Sequence, residues 1–281
     1  MRLSFRGTPR GRVPRNPQFQ RQRAKPAAVP VAALSLLGLA AFPVSAETVR
    51  VFAASSLTEA FLEIAAAHEG ARPGTKVELN FAGTQVLRTQ IEQGAPADVF
   101  ASADLSHAEA LVRSRLLGPA TPFARNALAV VVPAGSARVA SLADLGRPGL
   151  RLVVAGPAVP VGRYTAAALR RLAAAGSLGP DFEARVHANV VSEETNVRAV
   201  LSKVVLGEAD AGFVYATDVR AAGDGIRAIR LPTSLQPRVE YAAAVVRGAR
   251  NPLQARAFLE GLLEGAGARA LRRAGFEPPP R

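Results

Sequence analysis

The sequence contains no cysteine and no tryptophan, and it has only three histidines. The lack of cysteine excludes disulfides, thiolate chemistry, cysteine-based metal sites and a lipid-anchored start. The histidines, His68, His107 and His187, are widely spaced, and none is placed to activate a serine. No spacing of His, Asp or Glu typical of a metal site is present. Packing alone must therefore hold the fold.

The same absences argue against an enzyme. Acid–base catalysis needs a carboxylate or an imidazole at the reacting group, and a serine hydrolase needs a base beside its nucleophile. The turn at Ala53–Leu57 carries two serines, but it is not the nucleophile elbow of the α/β hydrolases. We predict a non-enzymatic protein, and incubation with generic esters and phosphate esters would test this.

Residues 1–46 contain eight basic side chains and no Asp or Glu. They include an apolar stretch from Ala27 to Val44 and end on a small-x-small pattern, Val44-Ser45-Ala46. Pro30 and Pro43 interrupt the stretch, which is also short for a membrane span, so an uncleaved anchor is the weaker alternative. We predict a signal peptide that directs the chain through the general secretory route to the periplasm, with cleavage after about Ala46.

Removal of this leader changes the charge of the protein. Because its eight basic residues have no acidic counterpart, the formal net charge falls from +13 to +5. The remaining arginines are dispersed, and aromatic residues are sparse. A nucleic-acid-binding surface needs clustered basic residues, often interleaved with aromatics. We therefore predict no nucleic-acid partner.

Short apolar, β-branched runs alternate with helical patterns along residues 47–281, which is typical of α/β folds with a mainly parallel sheet. The clearest helix is Val197–Leu206, where apolar residues recur with helical spacing before Gly207. The predicted strands are Thr48–Ala53, Lys76–Phe81, Val99–Ala101, Leu128–Val132, Leu152–Ala155, Val186–Val191, Gly212–Tyr215 and Tyr241–Val246.

Two segments are candidate crossings between lobes, one near Phe123–Ala127 and one near Pro232–Glu240. If the chain leaves a first lobe at the former and returns at the latter, residues 47–126 and 235–281 form lobe 1. Residues 127–234 then form lobe 2. This division predicts a cleft between two α/β lobes.

Several helices begin directly after a strand and a small or hydroxyl-bearing turn. The segments are Glu47–Ala60, Val77–Ile91 and Val159–Leu169. The first N–H groups of a helix lack intrahelical partners, and its N-terminus favours negative charge. Helix starts that converge without catalytic side chains beside them indicate an oxyanion site.

Each candidate side chain also has a purely structural interpretation. Ser56 and Glu59 have capping-box spacing, and Thr84 is an ordinary helix-start residue. Thr195 or Asn196 is expected to cap the helix that begins at Val197, which leaves the Val197 amide free. Tyr215 ends a probable strand, where α/β folds place ligands, but a core tyrosine would fit equally well.

Three charged residues lie close in sequence to these helix starts. Arg163 directly follows Gly162, and we expect its side chain to face solvent rather than to bind the anion. Glu193 and Glu194 precede the Val197 helix, and we expect both to face solvent. An inward carboxylate there would repel a bare dianion.

Six segments along the chain are distinctive when taken together. They are VFAASSLTEA (51–60), FAGTQVLRTQIEQGAPADVFASAD (81–104), VPVGRY (159–164), NVRAVLSKVVLGEADAGFVYATD (196–218), VEYAAAVV (239–246) and RRAGF (272–276). They resemble those of a known family, the periplasmic molybdate-binding proteins that supply ABC transporters, and they occur in family order over nearly all of residues 47–281.

The resemblance implies a periplasmic-binding-protein fold with the ligand between two lobes. It also implies that molybdate, or tungstate, is held by neutral donors. The implied ligand-binding groups are the hydroxyls of Ser56, Thr84 and Tyr215 and the backbone N–H groups of Val161 and Val197. Molybdenum would be bound as the oxyanion, with no metal ligated by side chains and no cofactor. The implied partner of this monomer is an ABC permease in the inner membrane.

Thr84 departs from the usual serine of the family but keeps the hydroxyl, and Gln85 replaces a commonly small residue. The alternative ligand is another tetrahedral oxyanion, sulfate or phosphate. Phosphate carries a proton near neutral pH and benefits from a carboxylate acceptor, whereas molybdate, tungstate and sulfate do not. A cage made only of donors favours these last three.

Overall fold

The computed structural model describes residues 47–279, and the predicted signal peptide lies outside them. The strands are β1 (Glu47–Ala54), β2 (Thr75–Ala82), β3 (Val99–Ser102), β4 (Thr121–Asn126), β5 (Leu128–Pro133), β6 (Leu152–Ala155), β7 (Val190–Glu194), β8 (Ala211–Tyr215), β9 (Ile226–Arg230) and β10 (Val239–Val245). The α-helices are α1 (Thr58–Ala71), α2 (Thr84–Glu92), α3 (Leu105–Arg113), α4 (Pro160–Ala174), α5 (Phe182–Ala188), α6 (Val197–Val205), α7 (Ala216–Ala222), α8 (Pro252–Leu263) and α9 (Gly265–Ala274).

The strands form two five-stranded sheets. The first has the order β2-β1-β3-β10-β4, and the second has the order β7-β6-β8-β5-β9. The chain passes from the first sheet to the second between Asn126 and Leu128, and it returns between Arg230 and Val239. Helices flank each sheet, so the predicted two-lobe α/β fold is confirmed.

Each sheet is mainly parallel, as predicted, because four of its five strands run in the same direction and one is reversed. In the first, β1 runs parallel to β2 and β3, but β10 is antiparallel to β3 and β4. In the second, β6 runs parallel to β7 and β8, but β5 is antiparallel to β8 and β9. The reversed strands β5 and β10 follow the two crossings. They enter their sheets beside the carboxyl ends of β8 and β3, and therefore run opposite to them.

One predicted strand is wrong. Val186–Val191 spans the end of α5 and the start of β7. The buried residues of α5 are Phe182 and Val186, which lie four positions apart on one helical face. The short apolar run was compatible with either structure, because periodicity cannot separate a strand from a helix over so few residues. Strands β4 and β9 were not predicted, since both lie at sheet edges and mix polar with apolar residues.

Candidate ligand-binding cleft

The five predicted site residues, Ser56, Thr84, Val161, Val197 and Tyr215, line a single cavity. Three come from helix starts, at α2, α4 and α6, and Tyr215 ends β8. Among the described residues that line this cavity, none is acidic or basic. Its volume is about 10 Å³, which is about the space of one water molecule.

Ser56 does not cap a helix. It lies in a 3₁₀ turn, Ser55–Leu57, and α1 begins after it at Thr58. The expected capping box with Glu59 is therefore wrong. Glu59 instead binds Arg198 of the second lobe, with Nη1 and Nη2 at 2.8 and 2.5 Å from its carboxylate oxygens. The buried Ser56 hydroxyl lies 3.0 Å from the Tyr241 hydroxyl.

Thr84 is the first residue of α2, and Gly83 occupies the N-cap position. The Thr84 hydroxyl accepts a hydrogen bond of 3.2 Å from the Ala103 amide. Its oxygen is thus engaged within the first lobe, while its own hydrogen stays available as a donor. The Thr84 side chain is buried at the cavity wall.

Gly83 and Gln85 bring the two lobes together beside Thr84. A Cβ atom on Gly83 would lie 2.3 Å from the carbonyl oxygen of Thr195 in the second lobe. Only glycine permits this approach. The Gln85 side-chain amide donates to the same carbonyl at 2.7 Å. Gln85 therefore bridges the lobes, and it is not among the residues that line the cavity.

Two backbone donors come from the second lobe. Val197 is the first residue of α6, and the Asn196 side chain caps this helix by accepting from the Ala199 amide at 3.0 Å. Val161 is the second residue of α4, after Pro160. N–H groups at these positions have no intrahelical partner. Within residues 47–279, neither amide is bonded outside its helix.

Tyr215 supplies the remaining hydroxyl. It is 1% exposed, and its oxygen has no hydrogen-bond partner among residues 47–279. An unpaired buried hydroxyl is costly, which makes it a strong indication of a ligand contact. Burial raises the pKa of the Tyr215 phenol well above its ordinary value, so the group keeps its proton. Its amide donates to Asp218 at 3.0 Å, which fixes the backbone at the end of β8.

A buried acid lies behind the cavity wall. Asp218 is fully buried, and Arg198 Nε lies 3.0 Å from its Oδ1 atom in an ion pair without hydrogen-bond geometry. Burial raises the pKa of Asp218 to about 6 despite this positive neighbour. Arg198 therefore connects Glu59 of the first lobe to Asp218 of the second, next to the Val197 amide.

The expected solvent-facing position of Arg163 is wrong. Its guanidinium pairs with Asp104 of the first lobe and also lies 2.5 Å from the Ser106 hydroxyl. It does not line the cavity, so it is not an anion clamp. His107 of the same helix, α3, adds a contact of 3.0 Å from Nε2 to the Ala158 carbonyl. Burial lowers the pKa of His107. These contacts hold the lobes closed on one side of the cavity.

The two glutamates before α6 differ from each other. Glu193 is exposed as expected, but the Glu194 side chain is only 15% exposed. Glu194 accepts from the Ser192 hydroxyl at 2.6 Å and lies 2.8 Å from the Lys203 ammonium. Burial raises the pKa of Glu194, but the bonds from Lys203 and Ser192 outweigh it and the pKa is lowered overall. Neither glutamate lines the cavity.

Two further observations concern metal sites and membrane-spanning helices. Residues 47–279 contain no group of three or more His, Asp or Glu side chains placed to hold a metal ion. Within the same part of the chain, no helix is both long enough and apolar enough to cross a bilayer.

The profile of a family described as bacterial extracellular solute-binding protein matches residues 49–277. The chain belongs to this family. Among its relatives, the molybdate-binding protein ModA of Mycobacterium tuberculosis is 40% identical over 236 residues, covering 83% of this chain and 86% of that protein. The protein of the same name from Escherichia coli is 34% identical over 238 residues, covering 81% and 88%. The resemblance drawn from the sequence is therefore confirmed.

Solved structures show the same fold. The periplasmic molybdate-binding protein of Azotobacter vinelandii matches with a TM-score of 0.71 at 22% identity, covering 83% of this chain and all of that one. The sulfate-binding protein SubI of Mycobacterium tuberculosis matches with a TM-score of 0.73 at 19% identity, covering 83% and 87%. Because proteins for different oxyanions share this fold to the same extent, the ligand must be argued from the site.

Sequence reasoning missed the residues behind the cavity wall. Tyr241, Asn126 and Arg198 are distant in sequence from the groups they contact, whereas Asp218 lies only three positions after the Tyr215 amide from which it accepts. The only local signal was a tyrosine in the apolar run of β10 and an arginine directly after Val197.

Proposed function

We propose that this protein binds molybdate and tungstate in the periplasm and delivers them to an ABC permease of the inner membrane. The observation that carries the proposal is the cavity, which offers hydroxyl and amide donors and no acidic or basic side chain. The relatives at 40% and 34% identity are both molybdate-binding proteins, which supports the choice of ligand. The chain acts as a binding protein, without a catalytic step.

Neutral donors are sufficient for tight binding of a dianion. A hydrogen bond to a charged group contributes about 1.5–3 kcal/mol. Five such bonds, with the N-termini of α2, α4 and α6 directed at the same cavity, can offset desolvation and leave roughly 8–12 kcal/mol, which corresponds to micromolar to nanomolar affinity. Ser56 and Thr84 belong to the first lobe, while Val161, Val197 and Tyr215 belong to the second. A ligand bound to both sets therefore favours lobe closure.

The lack of a carboxylate acceptor among the described residues of the cavity argues against phosphate as the ligand. A protonated phosphate oxygen needs an acceptor, and no carboxylate is among the described residues that line the cavity. Molybdate, tungstate and sulfate are fully deprotonated near neutral pH and have no such requirement. Sulfate is smaller than molybdate, so cavity size must separate these two.

A thermal-shift panel tests the ligand assignment. We expect molybdate and tungstate to raise the melting temperature of residues 47–281, because a ligand at 100 times its Kd adds about 2.7 kcal/mol to the free energy of unfolding. We expect no comparable shift with phosphate at equal concentration. Sulfate and thiosulfate complete the panel. A larger shift with sulfate or phosphate than with molybdate would contradict the assignment.

Replacement of Glu194 by glutamine tests whether a carboxylate belongs to the site. The ion pair with Lys203 lies outside the cavity, so we expect molybdate affinity to change by no more than about 0.5 kcal/mol. Calorimetric titration of this variant measures the change. A tenfold loss of affinity would place the Glu194 carboxylate in the ligand site.

A further inference from the structure

A chain of buried polar side chains lies behind Ser56. The Tyr241 hydroxyl is 3.0 Å from the Ser56 hydroxyl, and the Asn126 side-chain nitrogen is 3.4 Å from the Tyr241 hydroxyl. The same nitrogen lies 2.8 Å from the Thr217 hydroxyl. All four residues are buried, with Tyr241 completely inaccessible. The chain connects the cavity to the point where the backbone leaves the first lobe, because Asn126 ends β4 and Thr217 belongs to α7 of the second lobe.

The direction of these hydrogen bonds follows from the Asn126 amide. Its oxygen accepts from the Ala127 backbone N–H at 2.9 Å, and this backbone group can only donate. The Asn126 nitrogen must therefore face Tyr241 and Thr217, and it too can only donate. The Tyr241 oxygen accepts from Asn126, so the hydrogen of Tyr241 is left for the Ser56 oxygen.

Ser56 then has its oxygen engaged by Tyr241 and its hydrogen free to point into the cavity. Burial raises the pKa of the Tyr241 phenol well above its ordinary value, which keeps the phenol a donor at all physiological pH values. The donation from Asn126 to Tyr241 therefore fixes the donation from Tyr241 to Ser56, and it leaves the Ser56 hydrogen for the ligand.

We propose that Asn126 and Tyr241 are positioning residues that make Ser56 an obligate hydrogen-bond donor to the bound oxyanion. This inference rests on the proposed function, and it adds a reason for ligand choice. A hydroxyl that cannot accept a proton from its ligand favours fully deprotonated oxyanions over hydrogen phosphate. Asn126 also contacts Thr217 of the second lobe, so this donor chain lies beside the crossing between the lobes.

The most direct variant is Asn126→Asp, which is nearly isosteric but replaces the donor by an acceptor. The Tyr241 hydrogen then turns to the new carboxylate, the Tyr241 oxygen accepts from Ser56, and Ser56 no longer donates to the ligand. We expect molybdate to bind about tenfold more weakly or worse, the effect of one lost bond to a charged group. Tyr241→Phe removes the relay without reversing it, so we expect a smaller loss, about threefold.

A double-mutant cycle with Ser56→Ala separates this relay from simple repulsion by the new charge. In the Ser56→Ala variant the hydroxyl is absent, so the hydrogen-bond chain from Asn126 through Tyr241 can no longer affect a Ser56 donor. We therefore expect Asn126→Asp and Tyr241→Phe each to change molybdate affinity there by less than about twofold. Repulsion or general loosening would persist in that background, because neither depends on the Ser56 hydroxyl.

The outcomes are measured by calorimetric titration of purified residues 47–281, with melting temperatures to verify that each variant is folded. Losses that add in the double variants would overturn the relay. Unchanged affinity in Ser56→Ala alone would overturn both the relay and the place of Ser56 in the site. If sulfate proves to be the tighter ligand, the proposed function is wrong, and the same cycle run with sulfate still decides the relay. If Asn126→Asp does not fold, Tyr241→Phe in both backgrounds decides it.

Discussion

Replacement of Gly83 by alanine is expected to weaken molybdate binding about 100-fold or more without unfolding the protein. A Cβ atom at this position would lie 2.3 Å from the Thr195 carbonyl oxygen, which belongs to the other lobe. The Gly83 backbone has ordinary extended angles, φ −62° and ψ 138°, that alanine adopts without strain. The collision with this backbone oxygen therefore exists only when the lobes close. The other atoms near the added Cβ belong to the Gln85 side chain, at 2.7 Å, and this flexible side chain can move aside. Overpacking of this kind typically costs 1–3 kcal/mol, and a collision with a backbone oxygen lies at the upper end or beyond, about 100-fold in affinity.

Calorimetric titration measures the loss, and small-angle scattering with saturating molybdate shows whether the lobes still close. Gly70→Ala is the matched control, because a Cβ atom there meets no other atom within 4 Å. The control should bind molybdate like the unmodified protein. A Gly83→Ala variant that binds within threefold of it would show that high affinity does not need this closed form.

Replacement of Val197 by proline is expected to weaken molybdate binding by about 1.5–3 kcal/mol, the contribution of one hydrogen bond to a charged group. Proline removes the N–H group without breaking α6, because Val197 is its first residue and proline is well tolerated there. The preceding residue, Asn196, is already extended at φ −162° and ψ 166°, as a residue before proline prefers. The substitution therefore deletes a proposed ligand donor and little else of the backbone.

The buried Val197 side chain requires its own control. Val197→Ala loses packing but keeps the N–H group, so an affinity difference between the alanine and proline variants reports on the lost N–H group together with the proline ring carbon that takes its place. Calorimetric titration with molybdate, together with the helical signal in circular dichroism, provides both readouts. Equal affinity of the two variants would remove the Val197 amide from the ligand set.

The parts of the site that were predictable from the sequence are those encoded locally. A helix start is marked by its cap and by apolar spacing, which is why the Val197 helix was found with its cap narrowed to Thr195 or Asn196, of which the structure shows Asn196. The amides of Val161 and Val197 were named through the family resemblance, and helix geometry explains why amides at such a start are free to bind a ligand. Tyr215 was also named through the resemblance, since its place at a strand end fitted a core tyrosine equally well.

The parts that were missed depend on contacts between distant segments. Ser56 has a capping-box pattern with Glu59, yet Glu59 is bound to Arg198, which lies 139 positions away. Ser56 is bound to Tyr241, which lies 185 positions away. Arg163 has the local features of a surface residue, but lobe closure brings it to Asp104. Local pattern contains no information on which side chains closure will bring together.

The one reversed strand in each sheet was missed for a related reason, because its direction is not encoded in the local pattern. Alternation of strands and helices predicts parallel neighbours, because each helix returns the chain to the starting edge of the sheet. The strands β5 and β10 are each preceded by a crossing between lobes instead of a helix. Their direction depends on where the chain crosses between the lobes, and the alternation of strands and helices does not predict that position.

The central claim is that a cage of donors without a carboxylate binds a fully deprotonated oxyanion. Calorimetric titration of residues 47–281 with molybdate near pH 8, well above the pKa of about 6 of the buried Asp218, in two buffers of different ionisation enthalpy, tests it most directly. The account predicts one site per chain, micromolar or tighter affinity, and equal heats in both buffers, because no proton is taken up or released. Binding of phosphate in preference to molybdate, with a heat that depends on the buffer, would contradict it.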